Sequence, residues 1–548
     1  MEKRLLLAAV LSLAVLAAWE FLVPKPPKPA PRPVPPPAAT APVATAGSST
    51  PAASEVAATA SAAPARNLPA PVSGRAEEKP VVENALVRAT FSNKGAVLSS
   101  LVLLQHTDDH KKPLELVRQS PGSSGKPLAV EFPGNPELTR RVADAFYAVE
   151  KPSERSVRFS YADDAVAVTK EIRFETGYLF DVKVSVVGPR YTLVAAEGLR
   201  NPSEEEVASR YVAPASAVVA SPAGLVHERA DKLEKPMEWP IPERGFAGIE
   251  DNYFLAVLIP KPGPGAIAYA IPNKDKEGKP APIIAAGLSG QGDISARGYY
   301  GPKDVEILES LNLGLERTVD FGWYGILARP LLWLLKRTYT LVHNWGAAIL
   351  IVTLLIRILL FPLMHKSYSS MKKMQKLAPK MNAIRDKYKK AKSDAAQRQK
   401  MNEELMKLYQ AEGYNPMSGC FPILLQLPIL VAFYNVLSRA IELRHAPFVL
   451  WITDLSAVDR TYVLLILMTV TMYIQQAMTP TTADPAQKKI FMAMPLIWGF
   501  FLKDMPSGLV LYWLFSNVLT ILQQALIQKM GKDEPEEQKP AKLKRVRA

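Results

Sequence analysis

The chain has 548 residues, a formal net charge of +14 and one cysteine. A single cysteine excludes an internal disulfide framework and a cysteine-rich zinc site, and the length suits one soluble domain plus a membrane domain. The positive charge points to polyanionic partners, either anionic lipid or nucleic acid.

Residues 1–23 and 24–80 differ sharply in composition. Lys3 and Arg4 are followed by the apolar run Leu5–Val23, which fits a cleaved signal peptide or an uncleaved anchor. The run is long for a signal peptide, so we predict a transmembrane anchor in residues 1–23. Residues 24–80 are almost entirely Pro, Ala, Ser, Thr and Val, a composition that cannot bury a core and predicts an extended linker.

Polar and apolar residues alternate through much of residues 81–322, which is the pattern of β-strands. The clearest run, Ser156–Val187, reads as successive strands with turns at Ala162–Asp164 and Thr176-Gly177. Helical crossovers are missing, so we predict a large antiparallel β sandwich rather than a parallel sheet. In residues 323–343, apolar and aromatic residues with Arg and Lys at intervals predict a helix that lies along the membrane surface.

The apolar run Asn344–Met364 is long enough to cross a bilayer, yet it contains an arginine. Arg357 lies roughly 18 Å along this helix from Trp345, at 1.5 Å rise per residue. A central arginine costs about 2.5–3.5 kcal/mol on insertion, so it must face protein or a wet cavity. The alternative is a side chain that extends to the headgroups. Because the following stretch Leu359–Met364 is apolar, the sequence favours a polar cavity open to water.

Five transmembrane spans are predicted in this second half of the chain, and the N-terminal anchor makes six. The fourth is short, since thirteen residues give roughly 20 Å against a hydrocarbon core of about 30 Å. Either the lysines at its ends snorkel or the bilayer is thinned locally. The five predicted spans are residues 345–364, 420–441, 462–478, 490–502 and 509–527.

The segment 366–419 between the first two of these spans is rich in Lys and Arg and carries Met and Leu at helical spacing. It predicts a helical hairpin, which either only connects the spans or also docks partners through its Met-rich stripe. The positive-inside rule places this hairpin, both termini and the basic tail 529–548 in the cytoplasm. The β domain is then predicted on the other side of the membrane.

Polar residues within the predicted spans fall on shared faces. Thr353 lies one turn before Arg357, and Gln426 lies about two turns into the next span. In the last span a continuous helical stripe is formed by Tyr512, Ser516, Thr520 and Gln523. Single Ser or Thr residues in membranes usually bond only across helices. The set together with Arg357 predicts a shared hydrophilic groove.

Signals for catalysis are weak. His106 and His110 have metal-ligand spacing, but their surroundings supply no convincing third ligand. The segment Pro121–Pro127 resembles a phosphate-binding loop only in its Gly-Lys ending. We therefore predict no enzyme, no cofactor and no metal site.

Several long motifs resemble one family, the YidC membrane protein insertases. The resemblance covers Tyr299 to the C-terminus almost continuously, and the N-terminal anchor plus β domain resembles the Gram-negative form. The motifs include NWGAAILIVTLLIR, FPLMHKSYSSMKKMQKLAPKM, GYNPMSGCFPILLQLPIL, LRHAPFVLWITDLSAVD and MPSGLVLYWLFSN.

The resemblance implies a bacterial inner-membrane protein with a five-helix insertase core and a periplasmic all-β supersandwich. Arg357 matches the groove arginine of the family, and Gln426, Tyr512 and Trp513 match positions that line the groove or contact substrate. The implied partners are nascent membrane proteins, the Sec translocon and the ribosome, the last through the cytoplasmic loop and the basic tail. From the residues alone, that tail equally fits anionic lipid.

Two other classes compete with an insertase. A transporter would use the intramembrane arginine to bind a small anion, but the spans show no inverted repeat. A membrane-anchored carbohydrate-binding receptor would leave Arg357 without a role. We expect an insertase that helps proteins enter and fold in the membrane through the groove, alone or with the Sec translocon.

Overall fold

The computed structural model describes residues 68–119, 126–203, 206, 214–275, 278–388, 395–412, 421–479 and 485–530. The predicted anchor 1–23, most of the linker 24–80 and nearly all of the basic tail lie outside the described residues. So do parts of the cytoplasmic loop, at residues 389–394 and 413–420.

The first half of the described chain forms two antiparallel sheets, as the alternating sequence pattern predicts. One sheet has four strands in the order β1-β2-β3-β4. The other has twelve, in the order β11-β10-β13-β14-β16-β9-β8-β7-β6, with β5 beside β9, β15 beside β16 and β12 beside β15. The strands are β1 Val81–Glu83, β2 Val87–Ser92, β3 Val97–Thr107, β4 Pro113–Glu115, β5 Val130–Glu131, β6 Ala148–Ser153, β7 Ser156–Ala162, β8 Ala167–Phe174, β9 Leu179–Glu197, β10 Ser216–Ser221, β11 Gly224–Glu228, β12 Met237–Trp239, β13 Ala247–Glu250, β14 Phe254–Pro260, β15 Gly265–Ile271 and β16 Ile283–Pro302.

The strands predicted within Ser156–Val187 are confirmed as β7, β8 and the first part of β9. Each alternates inward and outward residues, so one face packs into the core. Strands β9 and β16 are the longest and pair along most of their length. Phe180 and Tyr300 contact each other on one face of this pair, and Tyr299 points to the other face. All three aromatic side chains are almost completely buried, which places the core of the domain along this pair.

A lysine is buried in this core, and no carboxylate pairs with it among the described residues. Lys170 of β8 is fully buried, and its Nζ donates to the carbonyl oxygens of Gly95, Ala96 and Leu128 at 2.8–2.9 Å. An ammonium group has three N–H donors, so these carbonyls satisfy all of them. Lys170 therefore ties two loops to the twelve-stranded sheet.

Replacing Lys170 by methionine should lower the stability of the β domain by about 3 kcal/mol, because three buried carbonyls lose their donor. Burial lowers the pKa of Lys170 to about 7. Above that pH the folded side chain is neutral while the unfolded one keeps its proton, so stability should rise with pH by at most about 1.4 kcal/mol per unit. Thermal unfolding from pH 6 to 9 should show this rise in the unmodified protein and not in Lys170→Met. Parallel pH profiles would contradict it.

The second half of the described chain is helical. The domains' helices are α1 Pro136–Asp144, α2 Val305–Ser310, α3 Gly325–Val342, α4 Trp345–Lys387, α5 Ala395–Ala411, α6 Phe421–Arg439, α7 Val463–Met478, α8 Pro485–Phe501 and α9 Ser507–Met530. The first two belong to the β domain. Asn344 caps α4 by accepting a hydrogen bond from the Ala347 N–H, as expected for an asparagine at this position.

The number of membrane spans is less clear in the structure than in the sequence. Among the described residues, Trp345–Ser370 and Ser507–Ile527 are long and apolar enough to cross a membrane, and Val463–Met478 is apolar but shorter. Helices α6 and α8 have 19 and 17 residues and contain Pro428 and Pro495. Length and composition thus do not establish six spans.

Two predicted boundaries differ from the structure. The linker was expected to reach residue 80, but Val72 forms a β-bridge with Ala162, and the Gly74 N–H donates to the Phe146 carbonyl. Residues 72–80 therefore belong to the β domain, because its backbone supplies their hydrogen-bond partners. The span 345–364 and the hairpin 366–419 were expected to be separate, whereas α4 runs through both without a break.

In the described part of the predicted hairpin, α4 and α5 are joined by ion pairs of Lys380 with Glu412 and of Lys387 with Glu404. The interfacial helix expected in residues 323–343 corresponds to α3. It exposes large apolar side chains, including Ile326 and Trp333, while Ala328 and Leu335 are buried. This two-sided pattern suits a helix at the membrane surface.

The β domain docks on the segment that follows α6 through charged and aromatic side chains. Arg444 is almost buried, donates to the Thr107 carbonyl at 2.7 Å and lies over the Phe254 ring. His445 lies between Asp109 of the β domain, at 3.3 Å, and Asp454, at 3.2 Å. No pattern in the sequence indicated this interface.

A second contact joins the same segment to the start of the helical region. Lys336 of α3 pairs with Glu442 at 2.5 Å and with Glu306 of α2 at 3.2 Å. Elements of the β domain, of α3 and of the loop after α6 therefore meet in one charged interface.

Candidate functional site

Arg357 faces another helix rather than the outer surface of the molecule. Its Nη2 donates to Ser516 Oγ of α9. The neighbouring side chains Leu355, Ile358 and Leu359 of α4 are exposed and point away from the protein. The guanidinium of Arg357 is therefore turned toward α9.

Gln426 of α6 joins the same cluster from a third helix. Its Nε2 lies 2.5 Å from the Tyr512 hydroxyl and 3.4 Å from Ser516 Oγ. The Tyr512 ring is buried and stacks on Phe433 with 4.0 Å between ring centroids. Arg357, Gln426, Tyr512 and Ser516 thus form one hydrogen-bonded cluster among α4, α6 and α9, which we call the groove cluster.

The other three residues of the predicted set do not join these hydrogen bonds. The Thr353 hydroxyl donates to the Ile349 carbonyl within α4, and the Thr520 hydroxyl donates to the Ser516 carbonyl within α9. Trp513 is half-buried and packs against apolar side chains. Thr520 still lies one turn below Ser516 on the same stripe, so it extends the polar face of α9.

Further polar groups extend this face toward the far end of α9. Asn517 and Gln524 donate to Thr471 and Thr479, both at 3.3 Å, and so link α9 to α7. Gln523 is buried, and its Nε2 has no hydrogen-bond partner among the described residues. Gln523 was visible in the sequence as part of the stripe.

Tyr368 was missed by the sequence reading, which placed it beyond the membrane span. It packs with Met364 and Ile527 in a small apolar cluster separate from the main core. The continuous helix α4 brings it there. No sequence pattern indicated this, since the surrounding residues read as a basic loop.

The positive charge of Arg357 has no carboxylate partner among the described residues; its hydrogen bond goes to a neutral hydroxyl. An uncompensated cation and a buried amide donor in an apolar setting are both costly. Their cost is reduced when water or a ligand with acceptor groups enters. In the described part of the chain, no group of three or more His, Cys, Asp or Glu side chains is placed to hold a metal ion.

Two family models match the chain in adjoining segments. The model described as "60Kd inner membrane protein" matches residues 337–534, and the model described as "YidC periplasmic domain" matches residues 80–334. The first covers the helices that carry the groove cluster, and the second covers the β domain.

Curated relatives match over almost the whole chain. The "Membrane protein insertase YidC" of Syntrophus aciditrophicus is 36% identical, over 97% of this chain and 100% of its own. That of Geobacter metallireducens is 36% identical over 96% and 98%. A solved structure, "Active YidC insertase crystal structure with the first transmembrane domain resolved", is 21% identical over 82% of this chain and 93% of its own, with a TM-score of 0.36.

These relatives are insertases, so the comparisons support that function and not the small-anion transporter that Arg357 also suggested. They also support the prediction that the chain is not an enzyme. The near-full-length identity and the two adjoining family models lead to one conclusion: the chain belongs to the YidC family of membrane protein insertases, inner-membrane proteins with a periplasmic domain.

Proposed function

We propose that this insertase moves hydrophilic segments of its substrate proteins through the groove cluster, with Arg357 as the main attracting group. The observation that carries the proposal is the uncompensated guanidinium of Arg357, held by Ser516 between three helices. A polar segment that enters this site exchanges bulk water for hydroxyl, amide and cationic groups, which lowers the cost of entering the membrane.

Each groove residue has a distinct proposed role. Arg357 attracts acidic groups. Ser516 accepts a hydrogen bond from Arg357, and Gln426 donates to Ser516 and to Tyr512. The stacking of Tyr512 on Phe433 holds this set of hydrogen bonds in place. Thr353 and Thr520 extend the polar face along their helices, and Trp513 borders it. We assign Gln523 a further role as a donor to substrate carbonyl groups, because its buried Nε2 has no partner in the part of the chain that the structure describes.

The apolar part of a substrate is proposed to leave along the outer face of α4. Leu354, Leu355, Ile358 and Leu359 are exposed there, next to the groove cluster but pointing away from it. Burial of the substrate's own apolar helix in lipid supplies the driving force, so no nucleotide is required.

We propose six spans with both termini in the cytoplasm, the order read from the sequence. The positive-inside rule supports it, because the loop 366–419 and the tail 529–548 are basic. We propose the following domain limits along the chain. An anchor at 1–23 is followed by a linker that ends near residue 67 and by a periplasmic domain up to residue 322. An interfacial helix at 323–343 then leads to the insertase core at 344–528.

Reconstitution tests the proposed function directly. Purified protein in liposomes should insert a single-span coat protein without nucleotide, as measured by protection of its translocated segment from added protease. Liposomes with the Arg357→Ala variant are the matched control. Equal protection in protein-free liposomes would refute the proposal.

The periplasmic domain should be dispensable for this activity. Deletion of residues 81–311 should leave insertion within about twofold of the unmodified level, because the polar groups of the groove all follow Asn344. Helix α3 must be kept, since it packs against α4 and α6 at the interface. Insertion is measured in the same liposomes at matched protein amounts, and loss of insertion at those amounts would contradict the expectation.

We further propose that the Sec translocon, anionic lipids and the ribosome are partners. Residues 531–548 of the tail lie outside the described residues, so the proposed contact of the tail with the ribosome rests on the sequence and the family. It carries the basic residues Lys539, Lys542, Lys544, Arg545 and Arg547.

Truncation after Lys529 should weaken binding to empty ribosomes, and binding of the intact protein should fall steeply with salt, because contacts with RNA phosphates release counterions. Co-sedimentation across a salt series in detergent measures both effects. If the intact and truncated proteins sediment equally at low salt, the tail contacts anionic lipid instead.

A further inference from the structure

The loop between α6 and α7 carries three exposed apolar side chains at one point. Val449, Leu450 and Trp451 are 48%, 83% and 38% exposed, and we call them the loop tip. The segment 447–453 around them, Pro-Phe-Val-Leu-Trp-Ile-Thr, contains no charged residue. Large apolar side chains that are grouped on a surface mark a place where another apolar surface covers them.

The backbone of the loop tip adopts a conformation that leucine rarely takes. Leu450 is the first central residue of a turn in which the Ile452 N–H donates to the Val449 carbonyl at 3.1 Å. Its φ angle is +57°. Turns with a positive φ at this position are dominated by glycine, asparagine and aspartate, because the Cβ of other residues crowds the backbone. Such strain is concentrated at functional sites, so the apolar side chain at this position calls for a functional explanation.

The loop tip is held in place by the chain on both sides of it. The Phe448 N–H donates to the Ile452 carbonyl, and the Leu455 N–H donates to the Ala446 carbonyl, both at 2.9 Å. Ile452 itself is buried at 6% exposure. The exposed side chains therefore sit on a fixed base.

Contacts with the first turn of α4 set the depth of the loop tip. The Asn344 side chain donates to the Phe448 carbonyl at 3.0 Å. The Phe448 ring packs so closely on Gly346 that a Cβ at Gly346 would lie 2.1 Å from the ring. Because α4 is long and apolar enough to cross the membrane from Trp345 onward, its first turn lies at the boundary of the hydrocarbon core. The loop tip is attached at this boundary.

The loop lies on the same side of the membrane as the β domain. Arg444, just before the loop tip, donates to the Thr107 carbonyl, and His445 lies 3.3 Å from Asp109. The β domain matches the periplasmic domain of the family, so the loop tip is next to the leaflet that faces the periplasm.

Size and chemistry favour lipid over a protein as the partner of the loop tip. Three partly exposed side chains fall far short of the roughly 1,200 Å² that a stable protein interface buries, and the segment 447–453 offers no charged rim. Acyl chains require neither, since burial of apolar surface is non-directional. Tryptophan is also enriched where a membrane meets water.

We propose that the loop tip inserts into the periplasm-facing leaflet of the membrane, with Val449 and Leu450 among the acyl chains and Trp451 at the level of the headgroups. This lipid contact is separate from the groove cluster. It does not depend on the route that a substrate takes through the protein.

A fluorescent label tests the depth of the loop tip. Cys420 is the only cysteine, so a Cys420→Ser background allows an environment-sensitive label at Val449→Cys or at Lys183→Cys, an exposed control position on β9. In liposomes of pure phospholipid, nitroxide-bearing lipids should quench the label at the loop tip, and iodide on both sides of the membrane should quench the control label. Equal iodide quenching at both positions overturns the proposal. Protection from iodide that appears only after a membrane extract is added also overturns it, since a protein would then cover the loop tip.

A second variant separates insertion through Leu450 from burial by position alone. Leu450→Asn keeps a residue that tolerates a positive φ, so the melting temperature of the protein in detergent should not fall. In liposomes, iodide should quench the label at Val449→Cys about threefold more strongly, because asparagine lacks the apolar surface of leucine. Thr453→Asn, at an exposed polar position of the same loop, is the matched control and should leave quenching unchanged. Equal quenching in Leu450→Asn and Thr453→Asn overturns the proposal, and so does a lower melting temperature of Leu450→Asn, which would make Leu450 a packing residue.

Discussion

Arg357→Ala should lower the insertion of substrates with acidic translocated segments by about tenfold, which corresponds to 1.4 kcal/mol. This is a moderate part of the roughly 4 kcal/mol by which two unit charges 4 Å apart attract each other near a protein surface. Substrates whose translocated segments are neutral should change by less than about twofold. Arg357→Lys should be milder, since it keeps the positive charge.

The variant should remain folded. The alanine removes a charge that is costly in the membrane, and Ser516 keeps Gln426 as a partner. Insertion is measured by protease protection in liposomes, with Arg329→Ala, an exposed arginine of α3, as the matched control. Unchanged insertion of an acidic substrate by Arg357→Ala would show that the groove does not act through its charge.

Arg444→Ala should loosen the β domain from the helical region without stopping insertion. The side chain is 5% exposed and loses a bond to the Thr107 carbonyl, an ion pair with Asp109 and its packing on Phe254. Asp109 is 38% exposed, so water partly replaces its lost partner. We expect a cost of about 3 kcal/mol, which raises the opening equilibrium of the interface roughly 100-fold.

Hydrogen exchange of residues 104–115 and 440–460 in the full-length protein measures this opening. Lys112→Ala, an exposed lysine in the same hairpin, is the control and should exchange like the unmodified protein. Insertion should stay within about twofold, because Arg444 has no contact with the groove cluster. A fall in insertion as large as that of Arg357→Ala would make the docked domain part of the insertion machinery.

The sequence was sufficient to predict features that depend on the spacing of apolar residues, or on one residue that is energetically costly to place in a membrane. Alternation along Ser156–Val187 predicted the antiparallel strands, and the isolated charge of Arg357 predicted a polar partner within the protein. Both follow from local rules, since a strand shows every second residue to the core and a membrane helix cannot leave a cation unsupported.

Features that depend on distant partners could not be predicted in this way. The bond of Lys170 to carbonyls of Gly95 and Leu128 leaves no pattern, because backbone acceptors are the same at every residue. The docking of Arg444 on the β domain is equally hidden, since Thr107 is more than 300 positions away and also offers only its carbonyl. Prolines near residues 69–80 likewise suggested a linker where the backbone already pairs with β-strands.

Helix α4 runs without a break from the turn that holds Arg357 into the hairpin. It carries Arg357 in its first third and ends at Lys387 among the hairpin residues, with Pro362 and Pro379 between them. Proline removes the amide that would bond the carbonyl four residues earlier, so bending is easiest at these two points. From Pro362 to Lys387 the helix measures roughly 38 Å, and a bend of about 10° at Pro362 displaces its end by about 6–7 Å. Bending at Pro362 therefore moves the hairpin end of α4 relative to the turn that holds Arg357.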